Sequence, residues 1–95
     1  MDIQIPNKVK IGPHMFEVQL VEVVNKSEPR RAEINMLNNC IRIDSTMVVS
    51  KQEEGFFHEV FHEISTSLGV ELEENDVMRL SYGIYMVLKD NDLLK

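Results

Sequence analysis

Residues 50–69 read SKQEEGFFHEVFHEISTSLG, and the way their apolar positions repeat decides how the chain is built. Phe57, Phe61, Ile64 and Leu68 recur at helical spacing and make a narrow apolar stripe. Ser50, followed three residues on by Glu53, has the pattern of a capping box, which predicts a helix starting at Lys51. Gly69 supplies the stop, because glycine takes the left-handed conformation that ends helices.

Upstream of this helix the period changes from 3.6 to 2. Val9–Ile11 is a short strand closed by the Gly12-Pro13 turn signal. In the run HMFEVQLVEVV at 14–24, Phe16, Val18 and Leu20 alternate with Glu17 and Gln19. The phase shifts at Val21, so Val21 and Val23 face the other side unless a bulge intervenes. A polar turn at 25–29 leads to RAEINMLNNCIRID at 31–44. Asn38-Asn39 there suits a two-residue hairpin setting Met36 opposite Ile41 and Ile34 opposite Ile43.

Downstream, an acidic loop leads to Asn75, the expected N-cap of a second helix. Val77, Leu80, Ile84, Val87 and Leu88 are its expected buried face. Gly83 in its interior costs about 1 kcal/mol relative to alanine, and close helix packing is the expected reason for it. Strands followed by helices argue an α+β fold: a small antiparallel sheet of three to four strands, then two helices. Residues 1–95 read as a single domain, with the sheet portion at 1–48 and the two-helix portion at 50–91.

Composition narrows the function. Ten Lys and Arg against sixteen Asp and Glu give a formal net charge of −6, a balance that repels phosphate backbones and argues against nucleic acid. The basic pairs Lys8/Lys10 and Arg30/Arg31 are short and read as solvated loop charges. The single cysteine, Cys40, excludes an intramolecular disulfide framework and reads as a half-buried strand residue in a reducing compartment. No apolar run has the length of a secretory leader or a membrane span, so a cytoplasmic protein is expected. The scattered methionines read as core filler.

The chemistry lies inside the quoted stretch. His58 and His62 are four residues apart, about 40° around a helix axis, so both imidazoles can reach one metal ion. They lie at the edge of the apolar stripe, where a metal is anchored by protein yet reached by water. Glu59 sits a further step around, placed to take a proton from a metal-activated water as general base. Gly55 offers little bulk one turn before the histidines, and Ser65 and Thr66 give the same side a polar lower edge. The cofactor expected is Zn2+.

His58-Glu59-x-x-His62 on a helix preceded by sheet resembles the zincin metallopeptidases. More narrowly, the strands followed by HEVFHEISTSLGVELEENDVMRLSYGIYMVLKDN resemble small prophage-encoded proteins of the ImmA/IrrE-like and SprT-like groups. The resemblance implies zinc on His58 and His62, with Glu59 as base. It also implies that Cys40–Asp44, the strand before the helix, pairs with an extended peptide substrate. A third ligand is implied from a later helix, where Glu74-x-x-Val77-x-x-Leu80-Ser81 matches the family pattern loosely. Glu74 is the candidate, with Asp76 and Glu73 as alternatives and His14 a more distant one. Acids at a helix start are equally accounted for by the helix dipole. Glu63, after the second histidine, departs from the usual uncharged residue and reads as a solvated face or as extra negative charge near the metal.

Two functions follow from these residues. The first is a minimal zinc-dependent metallopeptidase acting on a peptide or protein, by resemblance a bacterial or phage regulatory protein in a bacterial host cell. The alternative is a non-catalytic zincin-like binding module docking on such a partner. Tyr82 and Tyr85 are weaker candidates for oxyanion donors, with partial packing against the sheet the simpler reading.

Overall fold

The alternating first half forms one sheet and the first of two helices in the second half stacks on it, as a computed structural model of residues 5–22, 24 and 31–93 describes. The elements are β1 (Lys8–Ile11), β2 (His14–Val21), β3 (Ala32–Asn35), β4 (Cys40–Asp44), α1 (Val49–Leu68) and α2 (Glu74–Asp90). This is the expected α+β order. Val23 and the polar turn at 25–29 lie outside the described residues.

The strand order is β1-β2-β4-β3. The β1/β2 and β3/β4 pairs are antiparallel, whereas the central β2/β4 pair is parallel, with Val18 beside Ile41 and Leu20 beside Ile43. The sheet is therefore mixed rather than antiparallel throughout. Ile11 pairs with His14 across Gly12-Pro13, and Gly12 has φ of 59°. Positive φ followed by proline's fixed negative φ is the glycine-first hairpin turn.

The second hairpin differs in register from its expected pairing. Ile34 pairs with Ile41 and Ala32 with Ile43, leaving residues 36–39 as the loop. The physical reason is Asn35, whose Oδ1 accepts from the amides of Leu37 at 3.0 Å and Asn38 at 3.3 Å and starts the turn early. The slip is two residues, so the apolar face is kept.

Phe16, Ile41 and Ile43 are fully buried and form the core with Ile11, Val18 and Phe56. Each such side chain contributes roughly 1.5–3 kcal/mol of transfer free energy. Leu20 is 53% exposed, past the end of the helical cover. Of the described methionines only Met47 packs against this core, while Met15, Met36, Met78 and Met86 are exposed, contrary to their reading as filler.

α1 lies on the sheet against β1, β3 and β4, and α2 packs on α1 alone, meeting no strand among the described residues. Several expectations change. α1 begins at Val49, with Val48 as an N-cap that makes no side-chain cap bond, so Ser50 and Glu53 form no capping box. Instead Asp44 Oδ1 takes the Thr46 amide and hydroxyl at 2.8 and 2.6 Å, and Gln52 Nε2 donates to the Met47 carbonyl at 2.8 Å. Covered on two sides, α1 buries Glu53, Phe56, Glu59 and Glu63, while Leu68 is exposed.

α2 in turn starts after Glu73 rather than Asn75 and buries Val77, Ser81 and Tyr85. Leu80, Ile84 and Val87 are about half exposed because only α1 covers this helix. A Cβ on Gly83 would meet nothing within 4 Å, so close packing does not account for that glycine. Gly69 ends α1 as expected, with φ of 68° and its capping amides bonded to Ser65 and Thr66.

Candidate metal centre

The site is a cleft of about 440 Å³ between β3, α1 and α2. α1 supplies the floor with Gly55, His58, Glu59 and His62; Ala32 stands on one side and Glu74 on the other. Gly55 lets α1 approach β3 closely, since a Cβ there would lie 3.3 Å from the Ala32 Cβ. One side of α1 is thus held against the sheet edge while the histidine side opens towards α2.

Three donors converge in the cleft. Glu74 Oε1 lies 2.7 Å from His58 Nε2, and Glu74 Oε2 lies 2.9 Å from His62 Nε2. The two Nε2 atoms are 3.1 Å apart. The rings meet edge to face, with centroids 4.8 Å apart. Glu74 comes from the first turn of α2, where a carboxylate is also favoured by the helix dipole.

Glu59 stands behind this trio. Its carboxylate lies within 4.8 Å of the histidine donor atoms, and the residue is only 6% exposed. The histidines are half-buried and Glu74 is largely exposed, so the cleft is open to solvent on the α2 side. Glu73 and Asp76 are both exposed and neither lines the cleft. His14 lies at the β1/β2 turn, away from it.

Two imidazole nitrogens and a carboxylate that face one another at 2.7–3.1 Å can be bridged by the imidazoles' own N–H groups or by a metal ion. Tetrahedral zinc, with nitrogen and oxygen ligands at about 2.0–2.2 Å, holds its donors roughly 3.3–3.6 Å apart. The observed trio, at 2.7, 2.9 and 3.1 Å, is tighter by up to almost an ångström and of the right chemical type, so these residues fit such an ion once the side chains part slightly.

Several residues escaped the sequence reading. Arg31 and Lys51 put cationic side chains on the cleft wall, and Met78 and Ser81 line it from α2. Glu63, read as a solvated face or as extra negative charge near the metal, is 5% exposed, does not line the cleft and accepts from the Ser67 hydroxyl at 3.1 Å. Tyr85 donates to Glu53 at 2.7 Å; neither it nor Tyr82 lines the cleft, and α2, which carries both, meets no strand among the described residues. Glu53 was misread as a cap. The available signal was its position four residues before Phe57, in line with the apolar stripe.

The strand expected to take a substrate, β4, is flanked by β2 and β3 and has no open edge. Among the described residues, the open edge next to the cleft belongs to β3. The Asp44 amide donates to the Arg31 carbonyl at 2.8 Å, so Arg31, and by alternation Glu33 and Asn35, turn their main-chain groups towards β4. Ala32 and Ile34 therefore turn theirs outward. Among the described residues no helix is long and apolar enough to cross a membrane.

Comparison of the chain with protein-family models, with curated proteins and with solved structures found no match in any of the three.

Proposed function

We propose that the protein is a minimal zinc-dependent peptidase, zincin-like in its site, working in the cytoplasm of a bacterial cell and of phage or prophage origin. The observation carrying this reading is the convergence of His58, His62 and Glu74 on one point with Glu59 behind them. His58, His62 and Glu74 would hold the ion. When bound, zinc supplies Lewis acidity to a peptide carbonyl and acidifies a water molecule.

The chain's own residues do the rest. Glu59, largely shielded from solvent, accepts a proton from the attacking water and returns it to the departing amine. The substrate is an extended peptide that adds to the open edge of β3, bonding to the main-chain groups of Ala32 and Ile34. Such pairing makes little demand on side chains and carries the peptide along the cleft above α1. A bacterial or phage regulatory protein is the proposed source of that peptide.

The same open edge favours a second reading, a binding module that docks a partner strand without cleaving it. Zinc content of the purified protein, together with cleavage of a mixed peptide library by native protein and by Glu59→Gln, separates the two. The peptidase reading expects about one equivalent of zinc in both proteins and cleavage only by the native one. A Glu59→Gln variant that retains full biological activity favours the module. Absence of bound metal under zinc-replete conditions overturns the peptidase.

A further inference from the structure

Glu74 is the one donor of the trio that does not sit on α1, and among the described residues α2 packs on no element but α1. What fixes its position is found at the opposite end of α2. Glu53, 1% exposed on α1, accepts from the Tyr85 hydroxyl at 2.7 Å and from Lys89 Nζ at 3.0 Å. Lys89 Nζ also lies 2.9 Å from the Tyr85 hydroxyl, closing a triangle. The Tyr85 ring rests tilted on Phe57, with centroids 5.7 Å apart.

These contacts, with those of Glu74, set the helices antiparallel: the start of α1 meets the end of α2 at Glu53, and the middle of α1 meets the start of α2 at the histidines. A buried carboxylate bonded across two helices is costly to misplace, because breaking one partner leaves a charge without compensation. Among the described residues, the hydrogen bonds of the Glu53 carboxylate run to Tyr85 and Lys89 on α2.

Helix geometry links this cluster to the cleft. Tyr85 follows Glu74 by about three turns of helix, which returns it to within about 20° of the same azimuth. A helix tethered at its start by the 69–73 loop can still roll about its axis. Anchoring Tyr85 fixes that roll, and with it the direction in which Glu74 projects.

We propose that Glu53, Tyr85 and Lys89 form a positioning latch that sets the roll of α2 and so brings Glu74 to His58 and His62. The proposal rests on the metal-centre reading above. Val77 and Ser81, buried between the two ends, supply contact area. Area alone leaves the roll free to drift, whereas the hydrogen-bonded triangle admits one azimuth.

A double-mutant cycle on the full chain tests the latch, with zinc affinity measured by competition titration well below thermal unfolding. Cobalt substitution reports the ligand set through its visible absorption. Tyr85→Phe and Glu53→Gln are made in the native and the Glu74→Ala backgrounds, both being mild changes of nearly unaltered volume. In the native background each latch variant is expected to weaken zinc binding about tenfold or more, as for residues that orient a ligand. Its cobalt spectrum should move towards that of Glu74→Ala.

In the Glu74→Ala background the same changes should alter affinity by no more than about twofold, the limit of simple additivity. In the metal-free protein, the amides of residues 74–81 should exchange faster in both latch variants. Equal losses in both backgrounds, or no loss in either, overturn the latch while leaving the metal centre standing. Failure of the native protein to bind zinc or cobalt overturns the metal centre first and the latch with it.

Discussion

A methyl group on Gly55 would stand 3.3 Å from the Cβ of Ala32, close enough that β3 or α1 has to shift. That contact sets the depth of α1 against the sheet edge on the side where the cleft opens. Gly83 has no such neighbour. Gly83→Ala is therefore expected to stabilise the protein by about 0.5–1 kcal/mol. Gly55→Ala is expected to stabilise less or to destabilise, and to widen the cleft. Urea unfolding of the two variants checks the contrast.

The open N-cap of α1 gives a second prediction. Val48 is extended, 68% exposed and makes no side-chain cap bond. Val48→Ser places a hydroxyl where it can accept from the first-turn amides and should add roughly 0.5–2 kcal/mol. The measurement is the urea midpoint at constant slope.

The choice of third donor is settled by single substitutions. Glu74→Ala is expected to lower zinc affinity by more than about a hundredfold, beyond the range usual for residues outside the ligand set. Glu73→Ala and Asp76→Ala should leave it nearly unchanged, since neither side chain lines the cleft. Parallel zinc competition titrations of the three variants read the difference directly.

The interhelical cluster should also show in alkaline stability. Burial pushes the Tyr85 hydroxyl above its ordinary value of 10.0. Bonds to Tyr85 and Glu53 raise Lys89 above its ordinary 10.5. Both groups keep their proton longer in the folded protein than in the unfolded chain. Their stabilisation is therefore complete below about pH 10 and is lost as pH rises through the raised folded values. Chemical unfolding followed from pH 8 upward should show this decline, and the Tyr85→Phe, Lys89→Met double variant should flatten it.

What could be read from the sequence was local. The Gly12-Pro13 turn, the Gly69 stop and the two histidines one turn apart depend on neighbours within a few residues, and each lies where its spacing places it. The parallel β2/β4 pair was not legible, because alternation in a strand says nothing of its direction relative to another. The buried side of α2 was missed for a related reason. Leu80, Ile84 and Val87 have the hydrophobicity of a core face, but α2 is covered from one side only, and Val77, Ser81 and Tyr85 face α1. Glu53 was hidden by its own fit to a capping pattern. Its actual partners, Tyr85 and Lys89, are distant in sequence, and only the docking of two helices brings them together.

The parallel β2/β4 pair also bears on the order in which the chain assembles. The two hairpins close over short turns and can form early, since short loops cost little entropy. Joining β2 to β4 requires the chain to return past β3, and such non-local pairing is the slow step in small mixed domains. Substitutions at Val18 or Ile41, which meet across that pair, are expected to slow folding. Substitutions on α2, which contacts α1 and no strand among the described residues, are expected mainly to quicken unfolding. A chain that folds in that order gains its two histidines when α1 covers the sheet and its third donor only when α2 docks on α1.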